Sequence, residues 1–179
     1  MAKTLIVYET SEGQTASIAR FIGEIIREHG HQVEVIDVKH IPFAFGLDKF
    51  DSFIFGGSVH VNHLPGELKS FIYLNQSLIR HRPSALFSVS LTEATHGIEA
   101  RAKIENYFSD FLDELDWKPS LTASFAGAIA YTQYGYFKRS LLKQVSRANG
   151  LGTDPNRDYE YTNWRAVHTF ADEFGGLLN

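Results

Sequence analysis

The 179-residue chain predicts an α/β fold: a doubly wound sheet of five parallel strands in the order 2-1-3-4-5, with a basic helical insertion after the fifth strand. Three observations carry this. Short apolar, β-branched runs without clean alternation read as strands buried on both faces. Segments with apolar residues at helical spacing lie between them. Strands that alternate with helices imply right-handed crossovers and helices on both sides of the sheet. With 44% hydrophobic and 21% charged residues, the composition is that of one globular domain, 1–179.

Taken in order, Lys3 to Tyr8 is the first strand. Thr15 to Glu28 is the first helix, because Ala16, Ile18, Ala19, Phe21, Ile22, Ile25 and Ile26 recur at helical spacing and Gly30 stops it. Val33 to Val38 is the second strand, Ser52 to Phe55 the third, ending at Gly56-Gly57, and Ala85 to Val89 the fourth. Helical patterns run from about Gly66 to Ile79 and from about Ile98 to Leu115. Thr122 to Ala130 is the fifth strand, and Trp164 to Leu178 is the closing helix. The segment of about 131–155 exceeds what such a sheet requires and has its own helical pattern, so it reads as an insertion with a purpose.

Several chemistries are excluded. With no cysteine there is no disulfide framework, thiolate nucleophile or cysteine-ligated metal. Met1-Ala2-Lys3-Thr4 leads directly into the first strand without a signal segment, and no apolar run approaches membrane-spanning length, so a cytoplasmic protein is expected. The net charge of −4 is unevenly distributed. Between Trp117 and Thr153 there is no Asp or Glu, while Lys118, Lys138, Arg139, Lys143 and Arg147 contribute +5, leaving −9 for the rest (−4 − 5). Nucleic acid is therefore not an expected partner.

In a sheet of this order, ligands bind beyond the carboxyl ends of the strands, at the switch point between the first and third. After the first strand comes Thr10-Ser11-Glu12-Gly13-Gln14-Thr15. Its hydroxyls, the close approach allowed by Gly13 and the free N–H groups of a helix start suit a monophosphate. The triphosphate loop G-x-x-x-x-G-K-[ST] and the dinucleotide pattern G-x-G-x-x-G are both absent. A Thr/Ser-rich turn also caps helices in general, so position in the sheet decides between the readings. At this position the loop resembles the [ST]-x-T-G-x-T phosphate loop of flavodoxins, with Glu12 replacing the usual Thr and expected to face solvent.

The flavodoxin resemblance implies FMN. Thr10, Ser11, Gly13, Gln14 and Thr15 would hold its phosphate. Two loops with small residues, Gly57-Ser58-Val59-His60 and Ser88-Val89-Ser90-Leu91, would hold its ring. Flavodoxins usually place an aromatic side chain from each loop against the ring, whereas the first loop here offers His60 and His63 and the second none. Taken singly, His60 and His96 read as solvated surface residues, and no metal-ligand spacing is present. The G-x-S-x-G elbow of a serine hydrolase is also missing.

The insertion reads as a short basic amphipathic helix, with Leu141, Leu142 and Val145 beside Lys138, Arg139, Lys143 and Arg147. Its basic face could be simply solvated, could rest on an anionic membrane, or could pair the acids of a large flat substrate. At this point the order of features resembles the menaquinone-dependent protoporphyrinogen oxidases, the oxygen-independent flavodoxin-like enzymes of haem biosynthesis. The matching pieces span nearly the whole chain: Gly13-Gln14-Thr15, Gly57-Ser58 with His63, Phe87 to Leu91, Trp117-Lys118-Pro119, Ala126-Gly127-Ala128 with Tyr131 and Tyr134, Arg139 and Lys143, Gly152-Thr153-Asp154, and Tyr161 to Trp164. The insertion departs from the family at Ala130, Gln133 and Gly135, where more arginine is expected.

The resemblance implies dehydrogenation of protoporphyrinogen IX, with electrons passed to a quinone and a peripheral contact at the inner face of the cell membrane. Flavin N5 would carry the chemistry, without an essential catalytic side chain. His63, Tyr131, Arg139 and Lys143 fall on the substrate side. The alternatives are a flavodoxin-type electron carrier, an NAD(P)H-dependent quinone or flavin reductase, and a flavodoxin-like domain that has lost its flavin.

Overall fold

The computed structural model describes residues 1–42, 44–95, 97–133 and 136–179; His96, Tyr134 and Gly135, named above, lie outside them. For Gln133, Tyr136, Phe137, Lys138, Leu141 and Val145 only the backbone is described. Five parallel strands form the sheet in the order β2-β1-β3-β4-β5: β1 (Lys3–Glu9), β2 (Gln32–Asp37), β3 (Ser52–Ser58), β4 (Ser84–Ser90) and β5 (Leu121–Ala126). Their registers, with Glu9 opposite Gly57, Ser58 opposite Val89 and Ser90 opposite Ala126, bring four carboxyl ends to one edge. The fold is the expected one.

Successive strand residues point to opposite faces, and both faces are buried, which is why the strands lack polar alternation. Leu5, Val7, Phe53, Phe55 and Leu86 face one layer, completed by α2 (Gly66–Leu74), α3 (Gln76–Ile79) and α4 (Ile98–Glu114) through Leu68, Ile72, Ile79, Tyr107 and Phe111. Ile6, Ile54, Ala85 and Phe87 face the other, where α1 (Gln14–Glu28) contributes Ile18, Ile22 and Ile26, and α6 (Trp164–Gly176) contributes Val167, Phe170 and Phe174. Gly56 pairs with Phe87 across β3 and β4, and a Cβ on Gly56 would overlap the Phe87 ring.

Two elements depart from the sequence expectation. The helix expected over 66–79 breaks at Asn75, which ends α2 and whose side-chain Nδ2 donates to Phe71 O at 2.8 Å. The strand expected over 122–130 ends at Ala126. After Gly127 the chain leaves the sheet, and β6 (Ala128–Ile129) pairs antiparallel with β7 (Tyr159–Glu160). A two-residue strand has too little periodicity to be seen in sequence. Between them lies α5 (Tyr136–Ala148), the helix of the insertion. Ile129 and Tyr131 form a small core there with Leu142, Leu151, Tyr159 and Tyr161.

Candidate active site

The edge where the strand ends meet carries a narrow cleft of about 70 Å³, open to solvent and lined by three strand ends and the β5–β6 link. Thr10, Ser11, Glu12, Gln14 and Thr15 line one end, Ser58, Val59 and His60 the middle, and Val89, Ser90 and Leu91 the other wall, with Gly127 and Ala128 closing it. Ten of the predicted cofactor residues thus converge on one place. Gly127 and Ala128 were legible only as pieces of the family pattern, because their approach to the cleft depends on the chain leaving the sheet there.

The phosphate-loop end is built from its turn. Gly13 adopts φ 92°, a left-handed conformation open to glycine, and its N–H donates to Thr10 Oγ1 at 2.9 Å. The helix that follows has no side-chain cap and no acid in its first turn, which leaves its leading N–H groups without a side-chain acceptor, and its first residues, Gln14 and Thr15, line the cleft. Glu12, expected to face solvent, is exposed but also borders the cleft. The Gln14 side chain is engaged elsewhere: Nε2 donates to Glu160 Oε1 and to Thr162 Oγ1, both at 2.8 Å. Trp164 Nε1 also donates to that Glu160 oxygen at 3.0 Å, and Thr162 Oγ1 donates to Ala126 O at 2.7 Å. Gln14 therefore faces an anion through its backbone, while its side chain ties the loop to β7.

Across the cleft, β3 runs into a two-residue hairpin. His60 and His63 exchange both backbone hydrogen bonds at 3.0 Å around Val61 and Asn62, whose φ values of 49° and 62° mark a type I′ turn. His60 Nε2 is hydrogen bonded to Ser11 Oγ at 2.7 Å, joining the β3 loop to the phosphate loop. His60 is exposed, yet it has a partner in the site. His63 is exposed and does not line the cleft.

The Ser58 hydroxyl is buried with no hydrogen-bond partner among the described residues, and Ser58 lies in the cleft wall. Leaving such a group unsatisfied costs about 1–3 kcal/mol. A polar ligand edge would satisfy it. With uncapped helix N–H groups and hydroxyls at one end, a bare hydroxyl midway and small or apolar residues along the walls, the residues fit a phosphate-bearing ring such as FMN.

Other predicted residues have structural surroundings. Ser88 is fully buried, its hydroxyl 3.0 Å from both Tyr107 OH and Ser124 Oγ. Gly57 is buried, and a Cβ there would press on Pro65 and Leu64 rather than on the cleft. Tyr131, expected on the substrate side, has no exposed surface; its hydroxyl donates to Gly152 O at 3.0 Å and is hydrogen bonded to Ser146 Oγ at 2.9 Å, pinning α5 to the following loop. Arg139 and Lys143 are half-buried on α5 and do not line the cleft. Among the described residues no group of His, Asp and Glu could hold a metal, and no helix is long and apolar enough to cross a membrane.

Residues 5–156 match the Flavodoxin domain family. The chain is 30% identical over 177 residues to protoporphyrinogen IX dehydrogenase (quinone) of Escherichia coli strain K12, covering 99% of this chain and 97% of the relative. It is 31% identical over 176 residues to the protein of the same name from Leishmania major, covering 98% of this chain and 75% of the relative. Oxidised flavodoxin 1 of Bacillus cereus aligns with a TM-score of 0.59 and 20% identity, over 99% of this chain and 100% of that structure, a likeness of fold.

Proposed function

The chain belongs to the flavodoxin domain family and to the group of its protoporphyrinogen IX dehydrogenase relatives, and from this we propose that it oxidises protoporphyrinogen IX to protoporphyrin IX with FMN and passes the electrons to a quinone. The observation that carries the reading is the cleft at the sheet's switch point, with an uncapped helix start at one end and the unpartnered Ser58 hydroxyl in its wall.

FMN, when bound, supplies the acceptor for hydride from the macrocycle and the route by which those electrons reach the quinone. The work of the chain is to bind and orient. The N–H groups at the start of α1, with Thr10, Ser11, Gly13, Gln14 and Thr15, would hold the phosphate. Ser58, Val59, His60, Val89, Ser90 and Leu91 would hold the ring, with the Ser58 hydroxyl free to meet a polar edge. Gly57 and Ser88 support this wall from behind, through packing on Leu64 and Pro65 and through the hydroxyl cluster with Tyr107 and Ser124.

Arg139 and Lys143 lie in the stretch without acids and suit the propionates of the substrate, with His63 at the rim of the β3 hairpin. Tyr131 serves them indirectly by fixing α5. The same cations favour an anionic membrane surface, where each well-placed Lys or Arg contributes about 1 kcal/mol and where a lipid-soluble quinone resides. The macrocycle loses six hydrogens in all, and each quinone takes two as it becomes the quinol.

Two measurements test this reading. Apoprotein mixed with FMN should quench the flavin's fluorescence; unchanged fluorescence would remove the cofactor assignment. The FMN-loaded protein, mixed anaerobically with protoporphyrinogen and a quinone, should produce porphyrin fluorescence. A rate no higher than that without protein would exclude the reaction, and bleaching by NAD(P)H alone would indicate a reductase.

A further inference from the structure

A second cavity, of about 520 Å³, opens between the loop that joins β4 to α4 and the C-terminal end of α5. Its size is in the range of small-molecule sites. Leu91 lines both this cavity and the candidate cofactor cleft, so the two spaces adjoin at one residue. We propose that this cavity seats the electron acceptor, a quinone ring, apart from the porphyrinogen; the assignment rests on the function proposed above.

The lining decides between the two redox partners. Among the described residues of the lining, Lys103 is the one cation and Glu99 the one acid, so these balance. A macrocycle with two carboxylates calls for a surplus of cations, and neither Arg139 nor Lys143 reaches these walls. A quinone is neutral and flat, with two carbonyl oxygens as acceptors. Lys103 and Asn149 bring donor groups to the lining, while Leu91 and Leu151 offer apolar surface to a ring. Ile98, also in the lining, is 88% exposed, an apolar side chain held in water where a hydrocarbon tail could leave the cavity. Reduction of the bound quinone to the quinol consumes two electrons and two protons, both drawn from the reduced FMN of the proposed reaction, which returns to its oxidised form.

The binding step can be read without turnover. In oxidised, FMN-loaded protein with labelled Ile, Leu and Val methyl groups, menadione should shift the NMR signals of Leu91, Ile98 and Leu151. Lys103→Ala and Ile98→Asp should each weaken menadione binding about tenfold while FMN affinity stays unchanged. Ile98 is exposed, so its variant tests the site without emptying a core. Menadione shifts confined to residues about Val59 and His60, menadione affinity unchanged in both variants, or displacement of menadione by the porphyrin product at this cavity would each overturn the proposal. Failure of the protein to bind FMN would instead defeat the underlying functional reading, which the FMN titration reports separately.

Discussion

Gln14 takes part in two structures at once. Its backbone opens α1 beside the cleft, and its side chain bonds Glu160 and Thr162 on the far side of the insertion. Gln14→Ala should therefore weaken FMN affinity about tenfold by fluorescence titration, since each lost hydrogen bond is worth about 0.5–1.5 kcal/mol. Glu160→Gln, which keeps an acceptor oxygen, should leave that affinity nearly unchanged. The placement of Thr10 and Ser11 at the cleft and the turn at Gly13 were legible because a loop between a buried strand and a helix has few ways to use hydroxyls and a glycine. Ser88 and Tyr131 were not legible: whether a hydroxyl faces a ligand or a buried neighbour depends on Tyr107 and Ser124, or on Ser146 and Gly152, at distances in sequence that no local pattern spans.

The insertion is held as an element by its own small core, and Tyr131 supplies that core's buried hydroxyl. Tyr131→Phe should destabilise the segment by about 1–3 kcal/mol, because Ser146 and Gly152 O lose a buried partner. The readout is faster limited proteolysis within 131–155 while FMN binding persists; equal loss of FMN would place Tyr131 in the cofactor site instead. At the other edge of the sheet, Glu34 on β2 bonds Lys3 at 2.7 Å and pairs with Lys49 at 3.5 Å. The hydrogen bond from Lys3 is the main cause that holds the Glu34 carboxyl below the usual carboxylate range. A depressed carboxylate stabilises the fold above its unfolded pKa, and that gain is lost as pH falls through the folded value. Glu34→Gln should thus lower the Tm at neutral pH, and the gap from the parent protein should close in acid below the ordinary carboxylate pKa.

Across the whole molecule, a net charge of −4 divides into a basic block of +5 and a remainder of −9. The block covers β5, β6 and α5, next to the edge where the cleft opens. The double variant Arg139→Gln with Lys143→Gln should raise the KM for protoporphyrinogen several-fold and reduce cosedimentation with anionic vesicles, with FMN bound as before. The effect on vesicle binding should shrink as salt rises, since a charge separated from lipid by about a Debye length is screened. Loss of FMN in this variant would make the block structural.

The sequence by itself determined the parallel sheet, its strand order and the loop that begins α1, because burial on both faces, crossover handedness and helix-start chemistry each leave a local mark. Tertiary structure alone decided that the fifth strand ends at Ala126, that Gln14 is bound to β7, that Ser58 has no hydrogen-bond partner among the described residues and that Leu91 lines two cavities. Those outcomes arise from side chains far apart in the chain meeting at one edge, where packing and hydrogen-bond satisfaction are settled jointly.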